Sequence, residues 1–305
     1  MENLIKKLDL NEYITNFSKL FAREKPIILE GDINIHYKII SELSNYNINQ
    51  PSSVQNLDSQ LMHIQKQGIL RVYEIYEFIK IINYFLYLKR FNFEGKLLEW
   101  MDKIIIPNDI LKICEYFDDK ANLKEGVDED FDNIKQAIYK NKEEIKQSLY
   151  KTINSSKIKP YLVDMQVHFI NEQECLLVRG GFNHILSGSV IDRSNSGFFY
   201  VIPHSVSDLK QKQSDLKNKQ EEILFRLCKE ISHIFERNLL FLKFINKEFD
   251  RFDHYQARIF FSKIGDKNFI LPSKKDENKL VDFCHPALSS PKPISIDFSK
   301  SVIMI

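Results

Sequence analysis

The chain has 305 residues, 43% hydrophobic and 28% charged, the balance of a globular protein rather than a disordered one. A formal net charge of +1 excludes any global electrostatic demand for nucleic acid or an anionic membrane, so binding of that kind has to come from local patches. Nine glycines and nine prolines are few for this length, and a chain poor in both breakers can build long helices.

The opening "MENLIKKLDL" lacks the long apolar core of a signal peptide. Residues 1–130 read as packed helices. In "YEIYEFIKIINYFLYLKRF", Ile75, Phe78, Ile79, Ile82, Phe85 and Leu86 recur at helical spacing over a broad face that needs burial on most sides. Glu77, Lys80 and Asn83 interrupt this apolar stretch, which is too short and too polar to span a bilayer, so no membrane role and a cytoplasmic location are expected. "IPNDILKICEYF" starts a further helix, with Asn108 or Asp109 as its expected cap.

Residues 129–157 predict a helix of another kind, with Ile134, Ile138, Ile145 and Leu149 as a narrow stripe on a charged rod. That pattern suits one arm of a two-stranded coiled coil. Its expected antiparallel partner lies at 206–262. There Leu209, Leu216 and Ile223 repeat every seven residues, followed by Leu227, Ile231, Ile234 and Phe235. Between the arms, "KPYLVDMQVHFI", "ECLLVRGGF", "GSVIDR" and "GFFYVIP" predict four short strands separated by Gly-Gly, Ser and Asn turn signals. After about residue 266 prolines and strand-like runs gather. The chain ends on the apolar run Val302–Ile305, which predicts a buried strand.

The chemistry that is missing narrows the function. Cys114, Cys175, Cys228 and Cys284 are scattered without a C-x-x-C pair, which argues against zinc and against a disulfide framework. No phosphate-cradling G-x-x-x-x-G-K-[ST] loop and no G-x-S-x-G elbow occurs. Gly180-Gly181 reads as a tight turn. Asp250 and His254 stand one helical turn apart and could meet a metal. With no third ligand at sensible spacing the better reading is a surface ion pair or a satisfied helix-face histidine. No catalytic residues and no metal ligands are assigned.

Two runs carry a family resemblance. "SGSVIDRSNSGFFYVIPHSVSDLKQK" resembles the clamp segment of the second bacterial branch of MutS-like proteins, where a "GIVHDQSSSGATLFIEP" type of run leads into a long returning helix. Gly188, Asp192, Ser194, Ser196, Gly197 and Pro203 fall on that pattern, while Arg193, Asn195 and Phe198 depart from it. "CHPALSSPKPISIDFSKSVIMI" resembles the stretch opening the MutS ATPase domain, where an "RHP-x-L" turn precedes a strand running into "TGxNxGGKT". His285, Pro286 and Leu288 match, with Cys284 where the family often has arginine.

The resemblance implies a mainly α fold, in five parts. These are a helical core over 1–128, an outgoing lever helix over 129–157, a β-rich clamp over 158–205, a returning lever helix and core over 206–265, and the first strands of an incomplete α/β ATPase domain over 266–305. On this reading the chain is a fragment that stops just before its Walker A loop. It hydrolyses nothing itself, while the parent protein is an ATPase needing ATP and Mg2+, with a C-terminal nuclease domain in some members. The N-terminal mismatch-reading domain has no counterpart here. The implied partners are branched or duplex DNA, a second copy in the parent protein, and for some members the ribosome.

For phosphate contacts the candidates are Lys157, Lys159, Arg179, Arg193, Lys210 and Lys212, because sequence-independent binding needs little beyond Lys and Arg. Lys210, Lys212, Lys217 and Lys219 cannot all share one helix face, and Asp164, Glu172, Glu174 and Asp192 make the insert nearly neutral. Phe198, Phe199 and Tyr200 offer rings for stacking, with two of the three expected in the clamp core. By carry-over from the family, His285, Pro286, Pro293 and Ile294 form at most half of a nucleotide site. The alternative is a structural module whose coiled-coil arm docks a protein or a stalled ribosome and has little affinity for DNA.

Overall fold

The computed structural model describes residues 6–171, 173–182, 184–264, 279–285, 288 and 290–297. Its described helices, in chain order, are α1 (Asn11–Ser18), α2 (Ile33–Leu43), α3 (Asp58–Gln65), α4 (Val72–Leu88), α5 (Gly95–Asp102), α6 (Asn108–Glu115), α7 (Glu129–Ile153), α8 (His204–Arg237) and α9 (Leu239–Ile264). The strands are β1 (Leu162–Ile170), β2 (Gln173–Val178), β3 (Gly188–Arg193), β4 (Phe199–Pro203), β5 (Lys279–Phe283) and β6 (Ile294–Asp297). The fold is therefore mainly α. It divides into two compact units, one made of residues 1–117 and 231–305, the other of residues 118–230, and the division falls inside α8.

The first unit is built on aromatic burial. On α4, Ile75, Phe78, Ile79, Ile82 and Phe85 are buried as the periodicity predicts, together with Ile81 and Leu88, while Leu86 of the predicted face is half-buried. Phe78 meets Phe235 edge-on, with centroids 5.4 Å apart. Burying side chains of this size contributes about 1.5–3 kcal/mol each. α4 begins where the Glu74 carboxylate accepts the Arg71 backbone N–H at 2.8 Å, half of a capping box. α6 differs from expectation at its start: the cap is Pro107, and Asn108 is the first helical residue. The Pro107 carbonyl accepts N–H bonds from Ile110 and Leu111, both at 3.0 Å, so backbone pre-set by the proline ring opens this helix in place of an Asx side chain.

α9 runs through this unit with Phe249, Phe252 and Tyr255 fully buried. It also buries Asn246, Glu248, Asp253, His254 and Gln256, an unusual polar load for one helix. β5 and β6 form an antiparallel two-stranded sheet in which Phe283 pairs with Ile294. The predicted strand over Val302–Ile305 lies outside the described residues.

In the second unit α7 and α8 run antiparallel. Arg226 meets Asp128 at 2.9 Å, the Asn141 amide donates to the Leu209 carbonyl at 3.2 Å, and the Ser148 hydroxyl donates to the Ser205 carbonyl at 3.3 Å. Of the predicted stripe, Ile134, Ile145 and Leu149 are buried and Ile138 is half-buried, and Asn141 sits fully buried among them. α7 opens where the Asp128 side chain accepts the Phe131 N–H at 2.8 Å, with Glu129, Asp130 and Asp132 in the first turn favouring the helix dipole. The run read as one long helix breaks at Asn238. The Asn238 amide donates to the Ile234 carbonyl at 2.9 Å, competing with the helix backbone for that acceptor, and its own carbonyl then starts α9 by accepting from Leu242.

The four predicted strands all form, as one antiparallel sheet of order β1-β2-β4-β3. The sheet packs on the helix pair through Ile145, Leu149 and Ile153 of α7, Cys175, Leu176 and Val178 of β2, Val201 and Ile202 of β4, and Val206 of α8. Phe199 and Tyr200 lie against this core, as expected for two of the three aromatic residues there. Three residues of the clamp-like run have plain steric roles. A Cβ on Gly188 would lie 2.3 Å from the Ile202 carbonyl oxygen, so only glycine admits this close pairing of β3 and β4. Gly197, at φ +79°, closes the β3–β4 hairpin, where its N–H reaches the Ser194 carbonyl at 2.9 Å. Pro203 ends β4, where a missing N–H is tolerated.

Of the four cysteines, Cys114, Cys175 and Cys228 are buried and Cys284 is exposed. Burial pushes the Cys114 thiol up to about 12 and the Cys175 thiol up to about 11.

Candidate nucleic-acid interface

Strand register places most of the candidate cations together. Leu162 pairs with Val178, Val178 with Phe199, and Phe199 with Arg193, so these four residues form one row across the sheet. Beyond this row lie the chain segments that carry the charges. Lys157 and Lys159 precede β1, and Lys159 opens the 3-10 turn Lys159–Tyr161. Arg179 follows β2, its backbone N–H donating to the Tyr161 carbonyl at 2.9 Å and its Nε to the Leu162 carbonyl at 3.2 Å. Arg193 ends β3 with its guanidinium 5.3 Å from the centre of the Phe199 ring.

Two turns shape this end of the sheet. From Arg179 to Phe182 the chain makes a tight turn closed by the Phe182 N–H on the Arg179 carbonyl at 3.2 Å, with Gly181 at φ +84°, the conformation that a type II turn reserves for glycine. A Cβ on Gly180 would come within 3.0 Å of the Gly197 carbonyl oxygen, so this turn and the β3–β4 hairpin approach each other closely.

The six candidates fall into two classes. Lys157, Lys159, Arg179 and Arg193 are exposed, and among the described residues none has a carboxylate within ion-pair distance. Lys210 is half-buried and bound to Glu174 of β2, with burial lowering its pKa, and Lys212 lies 3.6 Å from Glu144 of α7. Lys210 thereby ties α8 to the sheet, whereas the Lys212–Glu144 pair is a loose contact at the surface. Two of the carboxylates that make the insert nearly neutral are engaged by side chains, Glu174 by Lys210 and Asp164 by His168 Nε2 at 2.9 Å, while Asp192 is exposed and accepts the Arg193 backbone N–H at 2.7 Å.

The nucleotide candidates are less assembled. His285 Nε2 bonds to the Leu8 carbonyl at 2.9 Å, Pro293 and Ile294 are exposed at the start of β6, and Pro286 lies outside the described residues. Apolar side chains and one engaged imidazole can flank a base but cannot hold a triphosphate.

Asp250 and His254 have other tasks than metal binding. Arg23 grips both Asp250 oxygens, Nε to Oδ1 at 2.8 Å and Nη2 to Oδ2 at 2.7 Å, and Lys25 bridges Asp250 and Asp253 at 2.7 Å each. Burial pushes Asp250 upward, but the two cations outweigh it and hold the carboxyl below its usual range. The ion pair expected at the surface is thus half-buried. His254 is buried, and its Nδ1 faces the Arg258 guanidinium at 3.1 Å. Burial, reinforced by the charges of Arg258 and Lys25, pushes the imidazole down to about 4. Among the described residues no group of three or more His, Cys, Asp or Glu side chains is placed to hold a metal ion, and no helix is long and apolar enough to cross a membrane.

No protein-family model matches the chain. Curated proteins do. It is 32% identical over 308 aligned positions to a protein named Endonuclease MutS2 from Helicobacter pylori strain 26695, and 33% identical over the same span to the protein of that name from strain J99. A third of the same name, from Borreliella burgdorferi, is 23% identical over 202 positions covering 66% of this chain. The two Helicobacter matches cover 99% of this chain, which spans 40% of each relative's length. By similarity along nearly its whole length, the chain belongs to the second bacterial branch of the MutS-like proteins.

Proposed function

We propose that this chain is a DNA-gripping part of a MutS-like protein, holding the sugar–phosphate backbone at the basic end of its four-stranded sheet. The observation that carries the reading is the sorting of cations. Of the two candidate lysines on α8, Lys210 is spent on Glu174 inside the unit and Lys212 lies within reach of Glu144 at the surface, while the other four candidates, at or beyond the Leu162–Arg193 row, are left to solvent. Four exposed cations on adjacent segments match what sequence-independent phosphate binding requires.

On this reading α7 and α8 serve as a lever, the sheet as the clamp at its tip, and the preferred ligand is branched DNA of the kind formed in recombination, which the whole protein suppresses. ATP with Mg2+ drives that protein as a homodimer. The endonuclease activity in the relatives' name is likewise a proposal for the whole protein, and no residue described here is assigned to cutting or hydrolysis.

A labelled four-way junction and a matched linear duplex, each titrated with the 305-residue chain at low and physiological salt, test the reading. Binding should favour the junction, and log Kobs should fall with log salt at a slope of roughly −3 to −4, as about four phosphate contacts demand. Affinity that ignores salt would overturn it. A second reading, docking of a protein or a ribosome, draws on apolar side chains exposed on the sheet: Phe169 is 66% exposed and Val190 46%. It predicts no DNA binding at either salt concentration and loss of the partner on Phe169→Ala.

A further inference from the structure

The basic end of the sheet also carries rings, on the same segments as the charges. Tyr161 follows Lys159 by two residues, and Phe182 follows Arg179 by three. The turn that begins at Arg179 brings the two rings together, with centroids 5.0 Å apart and planes tilted by 35°. Their positions are fixed through one residue, since the Arg179 N–H donates to the Tyr161 carbonyl and the Arg179 carbonyl accepts from the Phe182 N–H. Phe182 is 41% exposed, and neither ring belongs to the core that joins the sheet to the helices. On the neighbouring strands the Arg193 guanidinium lies over Phe199, a second planar surface.

A phenyl ring held in water beside uncompensated cations has little to contribute to folding. The same combination, aromatic faces along a positively charged surface, is what binds unpaired nucleotides: the cations follow the backbone and the rings stack on the bases. We propose that the Tyr161–Phe182 pair is a stacking platform for an unpaired nucleobase. The sheet end then recognises single-stranded or unstacked nucleotides in addition to phosphates. The inference rests on the DNA-gripping reading above and narrows its ligand. A fully paired duplex presents no base face to the rings, whereas a fork or a strand end does.

The test uses the 305-residue chain with a forked duplex carrying 2-aminopurine in its unpaired arm and with a linear duplex of equal length. Anisotropy reports binding, and 2-aminopurine fluorescence reports stacking. The unaltered chain should bind the fork more tightly and quench the reporter. Tyr161→Ala with Phe182→Ala should weaken fork binding about tenfold, leave the duplex affinity unchanged and abolish the quench. Phe182→Trp should keep all three properties, and thermal melts confirm that each variant folds. Fork binding without quenching, or equal losses on fork and duplex, would overturn the stacking platform while the phosphate reading stands. If neither probe is bound at all, both readings fall together.

Discussion

The two units use the same side chains in opposite ways. In the first, Arg23 and Lys25 are drawn inward onto α9, with side chains 5% and 6% exposed, and each closes on a carboxylate. In the second, Lys157, Lys159, Arg179 and Arg193 point to solvent around one end of a sheet and meet no carboxylate among the described residues. A buried cation makes structure because leaving its partner uncompensated is costly. An exposed one costs almost nothing and stays available for a ligand. What separates a structural arginine from a binding one is thus whether the fold supplies its counter-ion.

That contrast can be broken first where the effect is largest. Lys25→Met leaves Asp253, whose side chain is 1% exposed, without its cation, and should lower unfolding stability by about 3–5 kcal/mol in a denaturant titration. Burial raises the Asp253 pKa, so the folded carboxyl holds a proton more readily than the unfolded one. The variant's loss should therefore be largest near neutral pH and shrink as the carboxyl protonates in acid. A loss below about 1 kcal/mol at neutral pH would show that the inward cations are not structural.

A second effect follows from His254. Its folded pKa of about 4 lies below the ordinary 6.5, so the unfolded chain binds the proton first. The stability it contributes is complete above pH 6.5 and is lost as pH falls towards about 4, on the order of 3 kcal/mol in all. His36, also pushed down by burial, adds to the slope with the same sign. Unfolding curves at stepped pH should show the decline, and His254→Gln should flatten it.

Gly188→Ala separates the sheet's shape from its charge. The added methyl meets the Ile202 backbone and should destabilise the second unit by about 1–3 kcal/mol, with the first unit's amides keeping their hydrogen-exchange protection. The smallest change in stability belongs to the outward cations. Replacing Lys157, Lys159, Arg179 and Arg193 by Ser should each move stability by no more than about 0.5 kcal/mol, while the four together abolish salt-dependent DNA binding. If that quadruple variant unfolds instead, the two sets of cations are not different in kind.

How much of this the sequence disclosed depends on the range of the interaction. The four strands are legible because alternation, Gly-Gly and the Asn and Ser turns are local signals, and Gly188 and Gly197 stand out by resemblance alone, without their close contacts. The helix pair was legible from its stripe, but Asn141, buried within that stripe with Oδ1 unpartnered, is invisible to a count of apolar spacings. The break at Asn238 depends on one amide competing for a carbonyl, which no helix propensity conveys. Least legible were the ion pairs. Arg23 and Asp250 are separated by 227 positions, and Lys210 and Glu174 by 36, so nothing local shows that one lysine is spent and another is free.

The cysteines give the chain an internal clock. Three thiols lie buried, two of them with strongly raised pKa values, so an alkylating reagent offered to the native protein finds only Cys284, on the segment just after β5. Labelling stoichiometry then counts opening events. One equivalent reads out the hairpin that carries the nucleotide candidates, and each further equivalent times the exposure of a particular place: Cys114 at the end of α6, Cys175 in the middle of the sheet, Cys228 on α8.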